Sequence, residues 1–192
     1  LRAGNARFAA LRQRHPHEDA DRRAAVAEAQ HPFATVLGCL DSRVPPELVF
    51  DRGLGDLLAI RTAGHALDEA VLGSLQFGVA ELDVRLIVVL GHERCGAATA
   101  AVEHVRTGKP VEGHLARVIA EIAPAAREAR PLPGDWVENT VRVHVERTRA
   151  RLMRDPAFRD ALVVGARFDL DNGKVSFHRP PPASGTDRRP AV

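Results

Sequence analysis

At 192 residues the chain has room for one well-packed domain and is too short for two comfortable ones. Hydrophobic residues at 45% and charged residues at 27% make an ordinary soluble globular composition, and the 27 basic and 25 acidic side chains are interspersed, leaving a formal charge of +2. There is no basic stripe of the kind a nucleic-acid surface needs, no run near the roughly eighteen apolar residues of a membrane span, and no charged-then-apolar secretory pattern at the N-terminus.

Nucleic acid is therefore not an expected partner, this chain is not expected to insert into a membrane, and the cytoplasm is the default location. Because the chain opens at Leu1 rather than Met, a processed form or a soluble domain of a longer membrane-linked protein is an alternative reading.

Residues 1 to about 14 set Leu1, Phe8 and Leu11 among alanines and arginines, which predicts an amphipathic helix ended by His15-Pro16. Residues 19–30 predict a second, alanine-rich helix with Asp19 as its cap. Neither can form a core alone, so residues 1–30 read as a helical arm lying across another surface. Four apolar runs follow, at residues 33–38, 57–61, 86–90 and 162–168. Their apolar positions are consecutive rather than alternating, the pattern of strands buried on both faces in a parallel sheet.

Helices are predicted between them. Residues 68–82 carry Leu72, Leu75, Val79 and Leu82 at spacings of three and four, and a second helix runs from about 94 to 105. A long one follows Pro133-Gly134, where Asp135 and Glu138 have capping-box spacing and Val137, Val141, Val145 and Leu152 share a face. Asp171-Asn172-Gly173 predicts a reverse turn pairing residues 167–170 with 174–178. Residues 179–192, with Pro180-Pro181-Pro182-Ala183-Ser184-Gly185, have almost nothing to bury and read as a flexible tail after a domain of residues 1–178. The predicted fold is α/β, a single domain with a central four-stranded parallel sheet in order 2-1-3-4 plus an antiparallel edge strand, flanked by helices.

Chemistry concentrates after two of the strands. Cys39-Leu40-Asp41-Ser42-Arg43 follows the first, and Gly91-His92-Glu93-Arg94-Cys95-Gly96 follows the third. Ligands of open parallel sheets bind beyond the carboxyl ends of strands where the winding reverses, so neighbouring strands would bring Cys39, His92 and Cys95 together. Two thiolates and one imidazole suit zinc, and three ligands leave the fourth tetrahedral position open, as in catalytic sites. A histidine and a cysteine separated by two residues are a weak signal alone, and the residues by themselves leave inert burial of both thiols or a single disulfide as alternatives.

The two segments together, as Cys39-Leu40-Asp41-Ser42-Arg43-Val44-Pro45-Pro46-Glu47 and Gly91-His92-Glu93-Arg94-Cys95-Gly96-Ala97, resemble the beta-class carbonic anhydrases. Phe50-Asp51-Arg52-Gly53-Leu54-Gly55-Asp56-Leu57, Arg61-Thr62-Ala63-Gly64 and Val71-Leu72-Gly73-Ser74-Leu75 extend the resemblance, which covers residues 1–178. It implies one Zn2+ per subunit on Cys39, His92 and Cys95, and interconversion of carbon dioxide and bicarbonate by zinc-bound hydroxide. It further implies an Asp41–Arg43 dyad, in which Arg43 clamps a carboxylate that accepts a hydrogen bond from the zinc-bound water. In a closed state Asp41 becomes the fourth ligand.

By the same resemblance Val44 and Phe77 would wall the substrate and Gly96 would offer a backbone amide, while the protein would be a homodimer or tetramer with its N-terminal helices across the partner. The dyad also has a physical basis. Two thiolates and a neutral imidazole nearly neutralise Zn2+, so a fourth anion is less favoured and an arginine fork can hold the carboxylate off the metal.

Two rivals share these motifs: hydrolysis of carbon disulfide or carbonyl sulfide, and a non-catalytic bicarbonate-sensing module. Gly53, Gly55 and Asp56 lack the lysine and glycine spacing of a phosphate loop. His15, His17, His31, His65, His104, His114, His144 and His178 show no ligand spacing and read mostly as surface residues, with a proton-shuttle role considered for His65. Trp136 reads as a packing residue.

Overall fold

The consecutive apolar runs become the strands of one twisted sheet in a computed structural model that describes residues 1–178; the predicted tail, residues 179–192, lies outside the described residues. The strands are β1 (Ala34–Cys39), β2 (Leu57–Thr62), β3 (Leu86–His92), β4 (Leu162–Phe168) and β5 (Val175–Phe177), in the order β2-β1-β3-β4-β5. The first four run parallel and β5 is antiparallel to β4, as expected from the sequence. Central position explains why β1 is buried throughout and β3 in all but its first residue. Residues 57–61 depart from the expectation of burial on both faces: β2 is an edge strand with β1 as its single neighbour and stays partly exposed.

Alternate residues of the central strands feed two core layers. On one face Leu37, Ile87 and Val89 meet Leu75 and Val79 of α4 (Glu69–Ala80) and Val145 and Leu152 of α7 (Trp136–Arg154). On the other, Val36, Val88 and Leu90 meet Val49 of α3 (Pro46–Val49) together with Phe50 and Phe168. The Asp68 side chain caps α4 by accepting from the Val71 amide at 2.9 Å. Gly78 lets that helix lie close on the sheet, because a Cβ there would stand 2.9 Å from Leu58 Cδ1. In α7 half of the capping box forms: Asp135 accepts from the Glu138 amide at 2.7 Å, while the Glu138 carboxylate turns to Arg142 and Arg167.

The predicted helix near residue 94 is α5 (Gly96–Thr107), and α6 (Leu115–Ala129) has no counterpart among the helices expected from the sequence. Its buried face is Ile119, Ile122, Ala123 and Ala126, set against Ala101 and Val102 of α5. Its apolar residues do share one face, but Pro124 stands inside the helix and argues against a helix when the sequence is read locally. Trp136 packs in the same cluster and donates from Nε1 to the Ala126 carbonyl at 2.8 Å.

The N-terminal helices are shorter than predicted, α1 (Arg2–Ala9) and α2 (Ala20–Ala25), and α1 packs on α3, β4 and β5 of its own chain. Phe8 packs against Phe168, with ring centroids 6.1 Å apart, whereas Leu11 is 87% exposed. Asn5, buried in α1, donates to the carbonyls of Val49 (3.2 Å) and Gly173 (2.9 Å) and accepts from the Val175 amide (2.8 Å), stitching the helix to α3 and β5. The segment from Phe50 to Leu57 fastens the stretch of chain between α1 and α2. Buried Asp51 takes the Arg7 guanidinium and the amides of Arg14 and His15, and Asp56 takes His17. Gly53 permits the crossing, since a Cβ there would meet the Pro16 carbonyl oxygen at 2.1 Å.

Asn5→Ala leaves one buried and two part-buried backbone groups without their partner, and a buried unsatisfied group costs about 1–3 kcal/mol. We expect a clear fall in the thermal midpoint, about 2–4 °C per kcal/mol for a chain of this size. An unchanged midpoint by circular dichroism would show that the arm is docked elsewhere.

Candidate metal centre

Cys39 ends β1 and His92 ends β3, neighbouring parallel strands between which the order of connection reverses. The chain then turns sharply through Arg94, whose φ of 49° is left-handed, and delivers Cys95 as the N-cap of α5. The two cysteine sulfurs and a ring nitrogen of His92 lie within 4.8 Å of one another, and all three residues are buried. The expected convergence is present, and both cysteines are free thiols rather than a disulfide.

The imidazole is oriented by its own loop. His92 Nδ1 donates to the Glu93 carbonyl at 2.7 Å, which leaves Nε2 as the lone-pair nitrogen, and that atom is buried with no hydrogen-bond partner. An orphaned acceptor of this kind is costly unless something else occupies its lone pair. The Glu93 side chain holds the loop in turn, pairing with Arg167 of β4 and accepting from the Leu170 amide at 3.0 Å.

Two thiols this close cannot both ionise easily without a cation between them. The Cys39 thiol is drawn well below its ordinary range, first by the neighbouring Cys95 and further by His92 and the amides of Asp41 and Gly64, against burial that would raise it. Cys95 is pushed up, chiefly as the donor to Cys39 and further by burial, although the Ala97 and Ala98 amides at the start of α5 favour its thiolate. A divalent cation relieves this conflict, since it accepts both thiolates and the free imidazole lone pair at once. The donor set therefore fits zinc.

Asp41 lies beside the cluster, with Oδ2 3.9 Å from His92 Nε2. Arg43 grips it in a two-point fork, Nε to Oδ1 at 2.9 Å and Nη2 to Oδ2 at 2.7 Å, and the Arg43 amide adds a bond to Oδ1 at 2.9 Å. These bonds hold the Asp41 carboxyl well below the ordinary carboxylate range. Arg61 braces the segment from behind, donating to the carbonyls of Cys39 (2.8 Å) and Asp41 (2.6 Å). Nothing in the sequence beyond the resemblance marks Arg61 or Gly64, yet the Gly64 amide donates to Cys39 Sγ at 3.3 Å.

The substrate-wall residues are placed less compactly. Val44 is buried in the core layer with Val36 and Phe50. Gly96 is exposed at the first position of α5, where helix amides have no intrahelical partner. Phe77 is 57% exposed and sits in the last turn of α4, which starts at the carboxyl edge of the sheet and descends away from it.

Two histidines differ from the surface reading. His65 and His144 are buried and stacked, with ring centroids 4.4 Å apart at 27°. Burial holds His65 neutral, far below its usual range, and lowers His144 to about 4. An enclosed ring held neutral is poorly suited to exchanging protons with buffer, which argues against the shuttle role considered for His65. No periodicity could announce His144, because it lies on the same α7 face as the valines.

Fold and cluster define an α/β protein whose sheet presents a Cys–His–Cys donor set at the point where its winding reverses. The family model for carbonic anhydrase matches residues 34–175. Carbonic anhydrase 2 of Mycobacterium tuberculosis is 41% identical over 182 residues, spanning 91% of this chain and 88% of that protein. A carbonic anhydrase of Mycolicibacterium smegmatis is also 41% identical, over 92% of this chain and 89% of that one. Among solved structures, a tetrameric beta-carbonic anhydrase from Sordaria macrospora shares the fold with a TM-score of 0.74 at 24% identity, covering 91% of this chain and 93% of that one. The chain belongs to the carbonic anhydrase family, in its beta class.

Proposed function

We propose that this enzyme catalyses the zinc-dependent, reversible hydration of carbon dioxide to bicarbonate and a proton, with one Zn2+ per subunit on Cys39, His92 and Cys95. The observation that carries this reading is the convergence of two sulfurs with an imidazole nitrogen whose lone pair is buried and unclaimed. Zinc bound there supplies a Lewis acid that lowers the pKa of water from ~15.7 toward ~7.

The residues around it do the rest. Asp41, ionised and fixed by Arg43, accepts a hydrogen bond from the attacking water and aims its oxygen at carbon dioxide. Arg43 keeps the carboxylate from turning inward; without that fork Asp41 is free to become a fourth ligand and close the site. The Gly96 amide, exposed at the start of α5, would receive a developing negative oxygen. Val44 contributes apolar backing, and a neighbouring subunit would supply the Phe77 wall. Bicarbonate then leaves and the proton passes to buffer.

We infer a homodimer or tetramer, supported by the tetrameric relative and by the exposed Leu40, Leu48, Leu54 and Phe77. No helix among the described residues is long and apolar enough to cross a membrane. A cytoplasmic setting suits the two free thiols, which a reducing compartment keeps available.

One preparation tests the proposal. The protein should elute above the 20.8 kDa of a monomer, contain one zinc per chain, and hydrate carbon dioxide in a stopped-flow indicator assay. Fully zinc-loaded protein without hydration activity would favour a bicarbonate-sensing module, and preferred turnover of carbon disulfide would favour the hydrolase.

A further inference from the structure

We propose that His144 is a positioning residue of the metal centre: reaching across from α7, it holds the Gly64 carbonyl and thereby keeps the Gly64 amide aimed at the Cys39 sulfur. The inference rests on the assignment of Cys39 as a zinc ligand. His144 Nε2 donates to the Gly64 carbonyl at 3.1 Å, and the Gly64 amide donates to Cys39 Sγ at 3.3 Å, so one residue links a helix to a sulfur of the cluster.

Gly64 is confined on every other side by contacts without direction. Its φ of 59° is left-handed, and a Cβ would stand 2.6 Å from Ile122 Cδ1 of α6 and 2.9 Å from Ala97 Cβ of α5. His65 comes next, also left-handed at φ 47°, and its ring stacks on His144. Glycine takes this region freely, whereas a histidine there is held only where its surroundings over-determine it. The neighbouring bonds, Thr62 Oγ1 to the Ala66 carbonyl (2.9 Å) and the Ala66 amide to the Ala63 carbonyl (3.2 Å), close the turn without touching Gly64.

Loss of the His144 donor would strand a buried carbonyl. The space bounded by Gly64, His65, His92, Cys95 and His144 is about 10 Å³, at the lower limit for a single water, so solvent is a poor substitute. Relief by rotation of the Gly64 peptides would swing the amide off the sulfur. An N–H···S bond draws charge from a thiolate, and supporting bonds of this kind typically set metal affinity by about 10–100-fold.

The test uses the full chain loaded with cadmium-113, with zinc affinity measured separately against a competing chelator. In the unaltered protein the Gly64 amide proton should show scalar coupling to cadmium through Cys39 Sγ. His144→Phe, which keeps a ring against His65 but cannot donate, should lose that coupling and bind zinc about tenfold more weakly or worse. His144→Gln, which restores a donor, should recover both. Coupling and affinity both unchanged in His144→Phe would overturn the proposal. Absence of coupling in the unaltered protein would overturn it too, whether or not the variant folds. A cadmium shift reporting fewer than two sulfur ligands would instead sink the ligand assignment, and the inference with it.

Discussion

Cys95→Ser should lose both its zinc and its carbon dioxide hydration. The replacement is nearly isosteric at a buried position, so the fold has no steric reason to fail. What changes is the donor: a serine hydroxyl stays protonated at neutral pH and cannot replace a thiolate on zinc. Loss of a residue that merely supports a ligand costs about 10–100-fold in metal affinity, and loss of a ligand should exceed that. Metal analysis after dialysis and a stopped-flow indicator assay read the two effects, with circular dichroism reporting the fold. Full hydration activity in Cys95→Ser would refute the ligand assignment.

Asp41→Ala should separate the two. The carboxylate is not among the three donors, so zinc remains, while turnover falls by about 10²–10⁴-fold, the range for a positioned proton-handling group. The dyad also predicts a pH signature. Arg43 depresses the Asp41 pKa in the folded state, so the pair contributes stability that is fully present above the ordinary carboxylate value of about 3.9 and is lost only as pH falls through the lower folded value. Asp41 therefore stays ionised across the neutral range, and any activity limb between about pH 6 and 8 belongs to another group. Wild-type turnover in Asp41→Ala, measured at equal zinc content, would remove the residue from the mechanism.

Much of this protein is legible in its sequence, for identifiable reasons. β1 and β3 are written as unbroken apolar runs because both of their faces are covered, and Cys39 and His92 fall at the ends of those runs. Asp19 and Asp135 announce their helices by capping chemistry that acts within three residues. The illegible parts depend on contacts between distant segments. α6 is hidden by its internal proline, which the packing of its apolar face on α5 carries through, and the arm is placed by Asn5 meeting backbone at Val49 and Gly173. His144 looks like any polar residue in a helix until Gly64 arrives beneath it. The apolar run of β2 suggests more burial than the strand has, because a run of hydrophobic residues does not say how many neighbours its strand will have.

The left-handed turn at Arg94 has an implication for how the ion is acquired. His92 and Cys95 are brought within reach of each other by that local bend, but Cys39 joins them only when β1 and β3 have already paired. An unfolded chain thus offers at most a two-pronged grip, too weak to organise anything. Zinc bound as proposed would therefore enter a site assembled by strand pairing, the opposite order from small domains whose shape depends on the metal from the outset.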